Sequence, residues 1–215
     1  MNTPELDPFS RRVISQKHFS VKNGELLVWN IPMVMFPIYT HIEMFQQLKT
    51  KYKKEFSDTI YQIAERQSIL AVDFYKTKFG VKDKVQLIKA LLSQSIFLGL
   101  GELKIIKLDL KTGHAFIRQD INPFAKYFQQ LYGKSFDCLD DYMRGNLAGQ
   151  IGRLCEKKVV CIENRCIAKG DEYCSYIIKP INEIEEEFNY QIPQERFAEA
   201  KDDLNKHKKI IASPR

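Results

Sequence analysis

The sequence predicts an α+β fold in which an antiparallel sheet packs against several helices in a single compact domain. Strand-like runs bounded by turn residues alternate along the chain with segments of helical apolar spacing. No linker rich in proline or glycine divides the 215 residues. A chain of this length buries roughly 70% of its unfolded surface, so its core needs no disulfides.

The first part of the chain predicts a β-hairpin followed by a helix. The Asn23-Gly24 pair favours the positive φ angles of a two-residue turn, which would join strands 18–22 and 25–30. Two prolines then interrupt regular structure. Apolar residues at helical spacing predict a helix over 38–54.

Two longer helices follow. Ser57-Asp58 is suited to cap a helix that ends at Gly80, because a glycine easily takes the left-handed conformation found after a helix. The next helix covers 83–98 and ends before two glycines.

The middle of the chain predicts two strands and a short helix. The strands are 102–110 and 114–119, and a change of inward phase between Ile105 and Ile106 predicts a β-bulge. Pro123 is well placed to begin a helix over 123–132.

The last third predicts a helix over 136–154, strands near 157–169 and 173–179, and a charged end. Small residues lie along one side of this helix and predict close packing against a neighbour, although a ligand-facing role also fits: Gly145, Ala148, Gly149 and Gly152. We expect residues 1–180 to form the domain and residues 181–215 a peripheral helix and tail.

Composition excludes several classes of protein. No apolar run reaches the 18 residues of a membrane span, and the N-terminus lacks a secretory signal, so we expect a cytoplasmic protein. The net charge of +6 comes from 33 basic and 27 acidic side chains that are interleaved, which indicates solvated helix faces rather than a nucleic-acid site.

The cysteines are clustered near the end of the chain. All five lie between Cys138 and Cys174. An odd number of cysteines argues against a secreted disulfide framework. A metal site, redox chemistry or buried apolar thiols remain.

The segment from Val159 to Pro180 carries the strongest functional signal. Cys166 and Cys174 are symmetric about Gly170, so a hairpin with a three-residue loop would place them opposite each other. Opposed β-carbons are about 4.5–5.5 Å apart, which is compatible with two thiolates on one zinc ion.

Glu163 would join these cysteines only if the strand is irregular. It precedes Cys166 by three residues, and such residues point to opposite faces of a regular strand. A shared site therefore requires a bulge or bend near Asn164-Arg165. A cross-strand disulfide and two buried free thiols also fit the spacing.

The pattern Glu163-x-x-Cys166-x-Ala168-x-Gly170-Asp171-x-x-Cys174-x-Tyr176 resembles the signature of the 4-vinyl reductase domain family. This family includes many archaeal stand-alone proteins and the sensor domains of phenol- and xylene-responsive transcription activators. It is related to a bacteriochlorophyll-synthesis accessory protein and to the TRAPP tethering subunits. The specific motif lies within residues 136–180.

The resemblance implies a dimeric ligand-binding fold with a zinc site. In the aromatic-sensing members, a glutamate, the two cysteines of the motif and one earlier cysteine hold the zinc. Glu163, Cys166 and Cys174 match three of these ligands. Family spacing places the fourth at Asp140, which is not a cysteine, and Cys138 is the nearest thiol. Both are candidates.

Three functions remain open. The first is a sensor that binds a small apolar or aromatic ligand or a lipid and signals to a separate protein. Its pocket candidates are Trp29, Phe74, Phe97, Phe116 and Tyr142. The second is an assembly protein resembling the TRAPP subunits, with an apolar channel. The third is a metal-dependent reductase, which is disfavoured because no dinucleotide fingerprint is found.

Overall fold

The computed structural model describes residues 19–28 and 31–193. These residues confirm the predicted α+β fold with antiparallel sheets. Four α-helices are present among them: α1 (Ile38–Phe79), α2 (Lys84–Phe97), α3 (Pro123–Tyr132) and α4 (Asp141–Cys155). The strands are β1 (Phe19–Lys22), β2 (Glu25–Val28), β3 (Ile31–Met33), β4 (Lys104–Asp109), β5 (His114–Gln119), β6 (Val159–Arg165) and β7 (Cys174–Pro180).

The first three strands form a small sheet of their own. Asn23 and Gly24 have φ angles of 52° and 81°, so the predicted two-residue turn between β1 and β2 is confirmed. Strand β3 was not predicted, because Pro32 lies in its centre and lacks an N–H group. It pairs with β2 at the edge of the sheet, where proline is tolerated.

Helix α1 is interrupted close to the position where the sequence predicts two helices. Lys53 has a φ of 49° and a ψ of −125°, which no α-helix accommodates. The segments on either side match the two predicted helices, and α1 ends at Gly80 in the left-handed conformation, as expected.

The main sheet has four antiparallel strands in the order β4-β5-β7-β6. The predicted bulge in β4 is confirmed, because the register shifts between Ile105 and Lys107. One face of the sheet carries the residues that join the core, including Ile117, Tyr176 and Cys161. Strand β6 is an edge strand, so the outward backbone groups of β6 need partners outside the sheet.

Helix α4 packs on β6 and β7 and also runs along α1. Ideal β-carbons built at Gly145 and Gly149 would lie 2.0 Å from the carbonyl oxygen of Tyr61 and 2.3 Å from that of Glu65. The prediction of close packing is therefore confirmed for these glycines, since any side chain would push the two helices apart. Both residues face a helix backbone rather than open space.

The start of α4 and the end of the chain differ from the predictions. Helix α4 begins at Asp141, five residues later than predicted, because the Asp140 side chain caps it. After β7 the described chain forms two short 3-10 turns, Ile181–Glu183 and Glu186–Gln191, in place of the predicted peripheral helix. The rest of that prediction, residues 194–215, lies outside the described residues.

Within the described ranges, none of the helices combines the length and apolar character that a membrane crossing requires.

The close contact between α1 and α4 predicts a large effect of Gly149→Ala. The added methyl group would collide with the backbone of α1, and overpacking of this kind costs about 1–3 kcal/mol. We expect the free energy of unfolding in urea to fall by about 3 kcal/mol. Gly152→Ala in the same helix is the control, because its β-carbon would meet its nearest atom at 3.1 Å. Equal effects of the two variants would contradict the packing argument.

Candidate metal centre

Glu163, Cys166 and Cys174 come together at one end of the main sheet. One ligand atom of each lies within 4.8 Å of the others, and all three residues are fully buried. Glu163 belongs to β6, Cys166 follows that strand, and Cys174 begins β7. The cluster therefore joins both strands of the last hairpin.

A β-bulge makes this cluster possible, as the sequence requires. Glu163 pairs with Tyr176, but Arg165 pairs with Ser175, so Asn164 is the extra residue. The additional residue rotates the chain and brings Cys166 to the face of Glu163. The predicted irregularity at Asn164-Arg165 is confirmed.

The loop of the hairpin is longer than the three residues expected. The strands end at Arg165 and resume at Cys174, and a 3-10 turn over Ile167–Lys169 lies between them. Gly170 has a φ of 103°, the left-handed region that favours glycine. The Ile167 N–H group donates to the sulfur of Cys174 at 3.3 Å.

Cys138 is a neighbour of this cluster, although its Sγ atom is not within 4.8 Å of all three ligand atoms. Its Sγ donates to the carbonyl oxygen of Glu163 at 3.0 Å, and the same sulfur contacts Cys166. Cys138 lies in the loop before α4, so its position could not be predicted from helical spacing. This loop carries it to the outer side of β6, next to Cys166.

The pKa values of the three neighbouring thiols shift in different directions. Contacts with Cys138 and then with Cys174 lower the pKa of Cys166, and the Leu139 N–H group donates to this sulfur. The contact with Cys166 raises the pKa of both Cys138 and Cys174, and burial raises both further. The pKa of Cys166 is therefore lowered while the pKa values of its two neighbours are raised.

Only one of the two carboxyl oxygens of Glu163 has a geometric hydrogen bond. Its Oε2 accepts from the Asp140 N–H group at 3.1 Å, whereas its fully buried Oε1 has no partner of hydrogen-bond geometry among the described residues, and the carboxyl group contacts the sulfur of Cys166. Burial raises the pKa of Glu163 well above its ordinary value, because the charged form loses its hydration. A buried acceptor without a partner beside three thiols fits a bound cation.

The side chain of Asp140 forms hydrogen bonds with residues outside the cluster. One carboxylate oxygen accepts from the Met143 N–H group at 3.0 Å, and the other accepts from the Asn122 amide at 2.8 Å. The same amide contacts Gln119 and the hydroxyl group of Tyr176. The Asp140 side chain is therefore engaged in capping α4 and in a buried polar network, while its backbone supports Glu163.

The remaining cysteines lie outside this cluster. Cys161 is buried on β6, where burial raises its pKa, and its N–H group donates to the Tyr61 hydroxyl at 3.1 Å. Cys155 is half-buried at the end of α4. All five cysteines are free thiols, so the alternative of a cross-strand disulfide finds no support in the structure.

Gln191 is a site residue that the sequence did not reveal. It is 4% exposed, and its side-chain amide contacts the backbone of Glu163. The one feature of the sequence that could have indicated a packed segment here is a short apolar and aromatic stretch, Phe188 to Ile192, within an otherwise charged end.

The five pocket candidates do not meet at one place in the described residues. The ring of Phe74 packs against Tyr75 and Phe79. Phe116 alternates with the core residues of β5 and so faces away from them, and Tyr142 is half-buried on α4. Trp29 and the side chain of Phe97 lie outside what the structure describes.

A cleft of about 260 Å³ lies between α1, α3 and the loop before α4. None of the five pocket candidates lines it. Its wall includes Leu139, next to Cys138, and Ser135, whose N–H group donates to the Ala168 carbonyl of the hairpin loop at 2.8 Å. The lining residues are Gln46, Lys49, Thr50, Phe128, Tyr132, Lys134, Ser135, Phe136, Asp137 and Leu139.

The sequence matches no family model and no curated protein. The fold is similar to the phenol-responsive sensory domain of the transcription activator PoxR, solved with phenol. The TM-score is 0.75 at 13% identity, over 89% of this chain and 100% of that domain. The expected likeness to such sensor domains is thus confirmed at the level of fold.

Two more distant likenesses have TM-scores below 0.5 and are too partial to define the fold. One is trafficking protein particle complex subunit 3 from Naegleria fowleri, covalently bound to palmitic acid, with 13% identity, a TM-score of 0.48 and coverage of 66% of this chain and 91% of that chain. The other is a vinyl-4-reductase family protein from Methanocaldococcus jannaschii, with 17% identity, a TM-score of 0.43 and coverage of 68% and 83%.

The double role of Asp140 predicts a larger loss of stability than a helix cap alone explains. Asp83 caps α2 by accepting from the Gln86 N–H group at 2.7 Å, and this cap is exposed. Asp83→Ala should therefore lower the free energy of unfolding by about 1 kcal/mol. Asp140→Ala should cost about 2–3 kcal/mol in the same urea titration, because it also leaves buried donors without a partner. Equal losses would show that the network around Asn122 adds nothing.

Proposed function

We propose that this chain is a small-molecule-binding sensory domain whose last hairpin is fastened by a zinc ion. The proposal rests on the fully buried set of Glu163, Cys166 and Cys174, in which the Glu163 Oε1 atom has no hydrogen-bond partner in the described part of the chain. Cys138 is the fourth ligand. The ion supplies a structural link between the hairpin and the loop that leads into α4.

The donor set supports zinc rather than a hard cation. Three sulfurs and one carboxylate suit a borderline-soft ion, whereas magnesium and calcium prefer oxygen ligands. Cys138 is favoured over Asp140 because its sulfur already contacts Cys166, while both carboxylate oxygens of Asp140 are engaged elsewhere. N–H groups of Leu139 and Ile167 point at ligand sulfurs and would stabilise their charge.

The four proposed protein ligands support a structural role for the zinc ion rather than a catalytic one. A catalytic zinc keeps an open coordination position for water or substrate, and a structural zinc has all four positions filled by side chains. All members of this set are deeply buried. The ion therefore stabilises the fold, and an enzymatic role is the less favoured alternative.

The sensory role is supported by the fold. The similar domain of PoxR was solved with phenol and is matched along its whole length. The ligand we propose is a small apolar or aromatic molecule, bound by a homodimer that signals to a separate protein.

Metal removal tests the zinc. The purified chain should contain one zinc per molecule by elemental analysis, and a strong chelator should lower the melting temperature by about 10 °C. This estimate combines about 4 kcal/mol for a ligand at a thousandfold excess over its Kd with about 2–4 °C per kcal/mol. Cys166→Ser should reproduce the loss, and Cys155→Ser should retain the metal. An unchanged melting curve after chelation contradicts the proposal.

A pair of variants tests the fourth ligand. Cys138→Ser should reduce the zinc content or affinity at least tenfold, since a thiolate is lost. Asp140→Asn should keep one zinc per chain, because an asparagine also caps a helix and the backbone N–H group to Glu163 is retained. The opposite result, measured by elemental analysis and chelator competition, would assign the ligand to Asp140.

The ligand is tested with the full chain. Native mass spectrometry should detect a dimer, and phenol or an alkylphenol should raise the melting temperature of the zinc-loaded protein. A co-purified acyl chain would instead assign a lipid ligand. If no phenol and no lipid binds, the sensory role is wrong even where the zinc is present.

A further inference from the structure

We propose that Gln191 is a positioning residue of the metal centre, which holds the strand carrying Glu163 and thereby slows the release of the ion. This inference rests on the proposed zinc site and assigns part of that site to residues beyond β7. The described segment after β7, residues 181–193, thus belongs to the metal-binding unit and is not a peripheral tail.

Strand β6 lies at the edge of the main sheet, and side chains satisfy its outer backbone groups. The Tyr61 hydroxyl group accepts from the N–H group of Cys161, and Arg144 donates to the Cys161 carbonyl oxygen at 3.4 Å. At Glu163 a single side chain makes both contacts. The Gln191 Oε1 atom accepts from the Glu163 N–H group at 2.8 Å, and Nε2 donates to its carbonyl oxygen at 2.9 Å.

This pair of bonds reproduces what a neighbouring strand would supply. A hydrogen-bonded residue in an antiparallel ladder exchanges one N–H···O bond in each direction with its partner. Gln191 gives Glu163 the same two bonds with one side chain. Both backbone groups of Glu163 point to this outer edge, so Glu163 and Tyr176 are a non-hydrogen-bonded pair of the β6–β7 ladder and Gln191 supplies both bonds.

The two bonds between Gln191 and Glu163 lie directly next to the β-bulge in β6. The next residue, Asn164, is the bulge at which the register between β6 and β7 shifts. A bulge interrupts the ladder, so the strand is weakly held just where the carboxylate must point at the ion. A small rotation of the Glu163 backbone would move its Oε1 atom away from the sulfurs.

Metal binding would make Gln191 more important. In the structure the Glu163 carbonyl oxygen accepts from both the Cys138 thiol and Gln191. A cysteine that ligates zinc is a thiolate and has no proton to donate. Among the donors described here, Gln191 would then be the one that remains on this oxygen.

Gln191 is itself held in place. Its carbonyl oxygen accepts from Arg144 at 2.7 Å, and Arg144 is paired with the buried Asp141. The next carbonyl oxygen, that of Ile192, accepts from Lys54 at 2.8 Å. The amide of Gln191 also contacts the Tyr190 hydroxyl. The side chain is therefore fixed before any ion binds, as a positioning residue requires.

The test compares two glutamine variants of the full chain. Gln191→Met keeps the side-chain length and removes both bonds to Glu163. Gln150→Met is the matched control, because Gln150 is 5% exposed, is hydrogen-bonded to Asn146 and lies on α4 away from the ligands. Each protein is loaded with zinc, and the rate of metal transfer to a chromogenic chelator is measured.

We expect Gln191→Met to release zinc at least tenfold faster than the wild type, since supporting residues of metal sites commonly change affinity by about 10–100-fold. Gln150→Met should release it at the wild-type rate. The cobalt-substituted protein adds a spectroscopic readout, because the absorption bands of bound cobalt should shift in Gln191→Met and stay unchanged in Gln150→Met. Loss of general stability alone would not shift these bands.

The outcomes separate this inference from the proposed function. If the wild type binds zinc and Gln191→Met releases it at the wild-type rate, Gln191 has no positioning role, while the zinc site stands. Equal acceleration in both variants also overturns the inference. If the wild type takes up no zinc, the proposed function fails first and the inference with it.

A measurement on the wild type covers the case in which Gln191→Met does not fold. Amide hydrogen exchange in the zinc-loaded protein should show the Glu163 N–H group as strongly protected as the amides paired between β5 and β7. If Gln191 did not bind it, the Glu163 N–H group would face outward from an edge strand without a hydrogen-bond acceptor, and its hydrogen would exchange quickly. Fast exchange at Glu163 overturns the inference.

Discussion

A carboxylate and three thiols buried at one end of the main sheet set the central constraint on this structure. Removing a charged group from water is costly unless a counter-charge and hydrogen bonds replace its hydration. The carboxyl group of Glu163 receives one hydrogen bond, from the Asp140 N–H group, and its second oxygen has no partner of hydrogen-bond geometry in the described residues. A divalent cation at this position would offset part of the negative charge of the thiolates and the carboxylate together.

The surrounding elements are arranged to keep this cluster in place. The bulge at Asn164 brings Cys166 to the side of Glu163, and the Asp140 cap begins α4 where the Cys138 loop ends. The close packing of α4 against α1 through Gly145 and Gly149 brings Tyr61 within reach of β6. Helix packing and ligand placement thus depend on each other, since α4 contacts the strand that carries the carboxylate.

Local rules predicted those parts of the molecule in which neighbours in sequence determine the geometry. The Asn23-Gly24 turn and the bulge in β4 depend on backbone preferences and side-chain alternation within a few residues. The same holds for the bulge between Glu163 and Cys166, because these residues can share one face of the strand only if it is irregular. The break at Lys53 was anticipated within a few residues for the same reason.

The sequence by itself therefore determined the α+β class, the order of the elements and the hairpin that carries three ligand-type side chains. Only the tertiary structure decided between Cys138 and Asp140 as the neighbour of Cys166, and only it brought Gln191 against Glu163. Both contacts join segments more than 20 residues apart across the edge of β6. Such contacts depend on how α4 and the final segment pack on the sheet, and no periodicity or turn signal within the chain encodes that packing.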